Sequence, residues 1–262
     1  TLLKVDNRTK HFSLKSFFSL FGDDGEVVKA VDGISFGIER GKTYGVVGES
    51  GSGKSTTARL ITRLIDPTSG TIEFDGKNIS DLPLNDFHKI RPRIQMVFQD
   101  PYTSLNPRMR VNQTLGNPLK LHQIVPDKEI ENRVVELLEL VGLQADHRFR
   151  YPHEFSGGQR QRISIARAMA LEPDLIIADE AVSALDVSVR AQILNLFRRL
   201  QKTKNLTYLF IAHDLSVVEH FCDRVGVMYK GKIVEEESVE NLFNNPTHPY
   251  TKALISAIPW LT

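Results

Sequence analysis

The sequence predicts an α/β fold: a core with a mostly parallel sheet, an N-terminal antiparallel β-subdomain, and a helical subdomain inserted into the core. Three patterns carry this expectation. Several short runs are apolar at every position, as in strands covered by helices on both faces. The N-terminal stretch instead alternates apolar and polar residues, as half-buried antiparallel strands do. From about 100 to 172 there are several helical patterns and no strand pattern.

Taken in order, Leu3 and Val5, then Val31, Ile34 and Phe36, sit between polar residues and turn signals such as Asp32-Gly33. Tyr44-Gly45-Val46-Val47 is the first fully apolar run, and it leads into a Gly-rich loop. Ile94-Gln95-Met96-Val97-Phe98, Leu175-Ile176-Ile177-Ala178, Tyr208-Leu209-Phe210-Ile211-Ala212 and Val225-Gly226-Val227-Met228-Tyr229 follow the same pattern. Helical spacing recurs at Ile130, Val134, Val135, Leu137, Leu138 and Val141, with Pro126-Asp127 before it and Gly142 as a stop. Val189, Ile193, Leu194, Phe197 and Leu200 repeat that spacing after Asp186. The tail has a Pro-punctuated stretch, Asn245-Pro246-Thr247-His248-Pro249, then a short helical pattern ending at Ile258-Pro259.

Composition bounds the function. A chain of 262 residues can bury a full core. Lys and Arg total 33 against 32 Asp and Glu, a net charge of +1. With 41% hydrophobic residues, that balance excludes a disordered chain, and it argues against a broadly basic nucleic-acid binder. Cys222 is the single cysteine, so no intrachain disulfide forms and a reducing compartment is expected. No Cys/His cluster has zinc-ligand spacing. No stretch approaches the roughly 18 apolar residues of a membrane span. The chain starts at Thr1 without Met, which is expected of a trimmed N-terminus, and no signal-peptide pattern is present.

The sharpest motif is Gly48-Glu49-Ser50-Gly51-Ser52-Gly53-Lys54-Ser55, followed by Thr56. It fits G-x-x-x-x-G-K-[ST] between a strand pattern and a helical one, the context a phosphate loop requires. Glycines let consecutive N–H groups turn inward onto phosphate oxygens, and the helix from Lys54 adds its positive end. Lys54 is expected to reach the β- and γ-phosphates, and the Ser55 hydroxyl to ligate Mg²⁺. A second site ends the run at Leu175, in Asp179 and Glu180. In phosphate-loop enzymes an Asp there holds the magnesium, and Glu180 is placed to orient or deprotonate an attacking water.

Just upstream stands Phe155-Ser156-Gly157-Gly158-Gln159-Arg160-Gln161-Arg162. Here the chain resembles the ATPase subunits of ABC transporters, whose signature is usually LSGGQ; Phe155 takes the first position. The resemblance covers nearly the whole chain and includes the family's motifs in order. It implies a P-loop NTPase core, with ATP and Mg²⁺ as ligands. Gln99 matches the Q-loop glutamine, which contacts the magnesium and attacking water, and Ser183-Ala184-Leu185-Asp186 matches the D-loop. His213 matches the switch histidine, and Phe12 the aromatic residue that stacks on adenine, with Phe17, Phe18 and Phe21 as alternatives. Ser156 is a good N-cap for the helical pattern after it, so the Gly-Gly turn presents N–H groups to an anion. In the family, that anion is the γ-phosphate bound by a partner subunit.

A finer resemblance is to oligopeptide and dipeptide importer ATPases. It rests on residues 99–107 (QDPYTSLNP), on Tyr151-Pro152-His153-Glu154, and on His248-Pro249-Tyr250-Thr251-Lys252. Relatives also serve nickel, glutathione and oligosaccharide importers, so cargo does not follow from it. The implied organisation is an α/β core at 1–99 and 173–235, a helical subdomain with the signature at 100–172, and an importer-type extension at 236–262 that continues further. The implied partners are a second ABC ATPase subunit (a homo- or heterodimer), two transmembrane permease subunits, and indirectly an extracytoplasmic substrate-binding protein, without nucleic acid. The implied place is peripheral, on the cytoplasmic side of the cell membrane. Two departures stand out. Ala181 replaces the proline that usually follows the catalytic Glu, which puts the rigidity of that turn in question. Some relatives carry a cysteine-rich tail for an iron–sulfur cluster; no cysteine follows Cys222, so no cluster is expected in these residues. The alternative reading is a soluble ABC-type ATPase not coupled to a transporter.

Overall fold

Alternation near the N-terminus does produce paired strands. The computed structural model describes residues 1–13 and 27–258. In chain order its elements are β1 (Leu3–Ser13), β2 (Val27–Ile38), β3 (Thr43–Val47), α1 (Lys54–Ile61), β4 (Ser69–Phe74), β5 (Lys77–Asn78), α2 (Leu84–Ile90), β6 (Ile94–Val97), α3 (Pro101–Ser104) and α4 (Val111–Leu121). There follow α5 (Ile130–Leu140), α6 (Gly157–Met169), β7 (Leu175–Asp179), α7 (Val187–Lys204), β8 (Thr207–Ala212), α8 (Leu215–Phe221), β9 (Arg224–Tyr229), β10 (Lys232–Ser238), α9 (Val239–Asn244) and α10 (Pro249–Ser256). The chain divides into two compact units, residues 1–87 with 209–262, and residues 88–208.

The first unit holds two sheets. One is antiparallel, with order β2-β1-β4-β5. Its β1 and β2 turn Leu3, Val5, Val31, Ile34, Phe36 and Ile38 inward and polar residues outward, which is the physical content of the alternation. In the other, β10, β9, β3 and the end of β8 are neighbours in that order. Here β3 runs parallel to β9, and β10 antiparallel to it. Every residue of β3 is buried, as expected of a strand covered on both faces. Phe36 of the first sheet stacks on Tyr44 of the second with ring centroids 4.8 Å apart.

The second unit combines the parallel pair β6 and β7 with helices α3 to α7. The pair is in register from Ile94↔Leu175 to Val97↔Ala178. Its entry is fastened by the Arg93–Asp174 ion pair at 2.6 Å and by Asp174 N–H donating to Arg93 O. Helix α6 lies against β6. The helices meet through Leu115 and Leu119 of α4, Val134, Leu137 and Leu138 of α5, and Ile163 and Ile165 of α6, all nearly or fully buried. Each such leucine or isoleucine contributes about 1.5–3 kcal/mol through burial. In α7 the inward stripe is Ile193, Leu196, Phe197 and Leu200. Among the described residues no helix is long and apolar enough to cross a membrane.

Candidate active site

The first unit carries the phosphate loop between β3 and α1. Two of its glycines are required by their surroundings. Gly48 has φ 154°, and a Cβ there would lie 2.1 Å from the Met228 carbonyl oxygen. Gly53 has φ 109°, and its Cβ would lie 2.2 Å from Ala30 O. No L side chain fits either distance, so the loop is wedged between β2 and the end of β9. Gly231 N–H donates to Ser52 O at 2.9 Å and Ser52 N–H to Glu49 O at 3.2 Å, which fixes the tip.

Lys54 is buried beneath the loop. Its Nζ donates to Gly48 O at 2.7 Å and Glu49 O at 2.8 Å. An ammonium donates more strongly to a charged phosphate oxygen than to a backbone carbonyl. Ser52 Oγ is buried without a hydrogen-bond partner, which suits an incoming anion. Helix α1 has no side-chain cap and no acidic residue in its first turn, so the positive end of its dipole faces the loop. Ser55 and Thr56 lie half-buried in that first turn, with Thr57 hydrogen-bonded back to Gly53 O at 3.1 Å.

Two predicted residues sit elsewhere in this unit. His213 is exposed immediately after β8, and the next residue, Asp214, caps α8 by accepting from Ser216 N–H at 2.9 Å. Phe12 is 40% exposed near the end of β1, opposite Val28, with Lys10 Nζ 4.9 Å from its ring centre. It is therefore not a core residue. The alternatives Phe17, Phe18 and Phe21 lie outside the described residues.

The second unit carries Gln99, Asp179 and Glu180. Gln99 and Glu180 follow the ends of adjacent parallel strands, so both emerge at one edge of the β6–β7 pair, where α/β folds place their chemistry. Gln99 is exposed, Asp179 is buried as the last residue of β7, and Glu180 is half-buried. Glu180 has φ 50°, a left-handed conformation that costs a non-glycine residue about 1–2 kcal/mol. Neighbouring hydrogen bonds hold it there. Ser183 donates to Glu180 O through its N–H (3.0 Å) and its Oγ (2.9 Å). Gln161, fully buried, donates through Nε2 to Ala181 O at 2.7 Å and more weakly to Phe98 O at 3.4 Å. The turn that lacks proline at Ala181 is thus held by side chains instead. Gln161 is the residue that sequence reasoning missed; nothing in its polar helical setting distinguishes it.

The signature turn is a capping box. Ser156 Oγ accepts from Gln159 N–H at 3.3 Å, and Gln159 Oε1 accepts from Ser156 N–H at 3.1 Å. Gly157 and Gly158 open α6. A Cβ at Gly158 would lie 2.5 Å from Val189 Cγ1 in α7. Leu185 of the D-loop stretch lies nearest Gly157, Ala184 precedes it, and Asp186 accepts from Arg190 N–H at 2.8 Å as α7 begins.

A strand, a glycine loop wedged against backbone and a helix with a buried lysine define a phosphate-loop nucleotide-binding protein of the α/β class. The chain belongs to the ABC transporter family, whose model matches residues 31–183. Residues 234–262 match the oligopeptide/dipeptide transporter C-terminal region. The chain is 53% identical over 260 residues to the oligopeptide transport ATP-binding protein AppF of Bacillus subtilis, covering 99% of this chain and 78% of that protein. It is 57% identical over 237 residues to OppF of the same organism, covering 88% and 77%. Against the dipeptide transport ATP-binding protein DppF of Escherichia coli it is 50% identical over 260 residues, covering 99% and 77%. Among solved structures, the dimeric post-hydrolysis ATP-binding cassette MJ0796 with ADP and Pi superposes with a TM-score of 0.78 at 30% identity, covering 90% of this chain and 98% of that one. CbiO1 of Clostridium perfringens, part of an ABC transporter complex, gives 0.79 at 30% identity, covering 93% and 91%.

Proposed function

We propose that this chain is the ATP-binding and ATP-hydrolysing subunit of an importer for oligopeptides or dipeptides. The observation that carries this reading is identity of 50–57% to peptide-transport ATP-binding proteins, together with the match of 234–262 to their C-terminal region. That region favours transport over a free-standing ATPase. In this reading the loop from Gly48 to Thr56 binds the phosphates, and Lys54 leaves the carbonyls of Gly48 and Glu49 for the β- and γ-phosphates. Phe12 stacks on the adenine. Glu180 directs water at the γ-phosphorus, Gln99 helps orient it, and His213 stabilises the developing charge.

Ser55, Gln99 and Asp179 offer hard oxygen donors, the kind Mg²⁺ takes. Among the described residues no three His, Cys, Asp or Glu form a cage for a metal. Such a site fits an ion held chiefly by phosphates and one or two protein oxygens. When bound, the ion neutralises charge on the transferred phosphoryl group. The signature residues Ser156 to Gln159 serve the ATP of a second ABC subunit, homo- or heterodimeric, and the D-loop from Ser183 to Asp186 belongs to the same interface. Likeness to a dimeric cassette supports this arrangement. Two permease subunits and an extracytoplasmic binding protein complete the importer, with this chain at the cytoplasmic face.

Glu180→Gln tests the reading. ATP binding should be kept, and turnover by the assembled transporter should fall by about two to four orders of magnitude, as loss of a general base does. Turnover within tenfold of wild type would remove Glu180 from its role. Co-purification with permease subunits separates the transport reading from that of a soluble ATPase.

A further inference from the structure

A bond from the C-terminal region reaches the phosphate loop. Glu49 N–H donates to the Tyr250 hydroxyl at 2.9 Å, across 201 residues of sequence. The same peptide unit carries the Gly48 carbonyl, which accepts from Lys54 Nζ at 2.7 Å. One peptide plane is therefore held at both ends, by a lysine inside the loop and a tyrosine outside it. Lys54 is the member that a bound phosphate would draw on. The tyrosine holds the plane independently of it.

Tyr250 is itself braced. Its ring packs on Tyr229, the last residue of β9, with centroids 4.3 Å apart. The segment before it is gathered by Glu235 of β10, whose carboxylate accepts from Thr247 N–H (2.7 Å), Thr247 Oγ1 (2.8 Å) and His248 N–H (3.0 Å). Burial opposes ionisation of Glu235, but those donors outweigh it and hold the carboxyl down at about 2, so the clasp stays charged across the physiological range. His248 Nδ1 then accepts from Tyr250 N–H at 3.1 Å, and Pro249 starts α10, which sets the direction of the tyrosine. Desolvation raises the Tyr250 hydroxyl above its ordinary range, which keeps it neutral.

We infer that Tyr250 is a positioning residue of the phosphate loop: it fixes the Gly48–Glu49 peptide, and through it the importer-type C-terminal region sets the affinity for nucleotide. The inference rests on the nucleotide-binding reading above. Its test is Tyr250→Phe, which removes one hydroxyl and keeps the ring on Tyr229. ADP and ATP affinities of the purified chain are measured by calorimetry, with ATPase kinetics on the assembled transporter. Losing one such hydrogen bond should weaken nucleotide binding about three- to tenfold. KM for ATP should rise in parallel with kcat within twofold, and the nucleotide-free melting temperature should stay within about 2 °C. Glu235→Gln, which weakens the clasp at a distance from the loop, should shift affinity the same way. Affinities within twofold of wild type in both variants overturn the inference and leave the nucleotide reading intact. So does a loss of affinity seen only alongside a fall in melting temperature of several degrees, since general unfolding of the tail would give that. A wild-type chain that binds neither nucleotide overturns the reading and the inference together.

Discussion

Two short glycine-bearing turns are held in place by different means. In the phosphate loop, Gly48 and Gly53 are fixed by backbone: carbonyl oxygens of Met228 and Ala30 occupy the space of any Cβ, and the dihedrals are ones side chains resist. In the signature turn, Gly157 and Gly158 are ordinary first-turn helical residues behind a Ser156–Gln159 capping box. There the constraint is a neighbour's side chain, Val189. Backbone cannot retreat, whereas a valine rotamer can. The first loop is therefore rigid by construction, and the second is only as rigid as its packing.

Substitutions should rank accordingly. Gly53→Ala should be the most damaging, with a stability loss of about 3 kcal/mol from strain and overpacking and no measurable ATP binding, read by denaturant unfolding and calorimetry. A stable, nucleotide-binding Gly53→Ala protein would erase the distinction. Gly158→Ala should cost about 1–2 kcal/mol, because Val189 must move. Adding Val189→Ala to it should return stability to within about 0.5 kcal/mol of Val189→Ala alone, since the two positions touch. No suppression would mean that Gly158 is needed for its backbone after all. Ser156→Ala should be mildest, about 1 kcal/mol from the lost cap, with intrinsic nucleotide binding by the chain unchanged. A fall in binding as large as that of Gly53→Ala would show that the two loops act as one.

The same contrast explains what could be read in the sequence. Geometry held by local spacing was legible. Gly48 to Ser55 announced itself within eight residues, and the apolar runs of β3, β7 and β8 marked their strands because both faces are buried. Antiparallel β1 and β2 were legible by alternation. Strand β10 was not, because it contains Glu235-Glu236-Glu237, three charges in a row whose extended conformation comes from pairing with β9 rather than from an apolar period. Strand β4, Ser69–Phe74, is short and begins in Ser-Gly, so it offered too few apolar residues to show a period. Gln161 and Tyr250 were hidden for another reason. Each acts on the backbone of a distant segment, Ala181 and Glu49, and a backbone carbonyl or N–H leaves no mark in residue type.

Gln161 also sets a ruler. It hangs from the helix that Ser156 begins, and its amide must meet Ala181 and Phe98 in the loops that follow β7 and β6. One residue inserted between Ser156 and Gln161 would turn that amide by about 100° around the helix, away from both carbonyls. Exposed connections elsewhere can lengthen without harm, but the run from the signature serine to this glutamine is measured in whole residues. Insertional scanning of the chain should find it among the segments that tolerate no change of length.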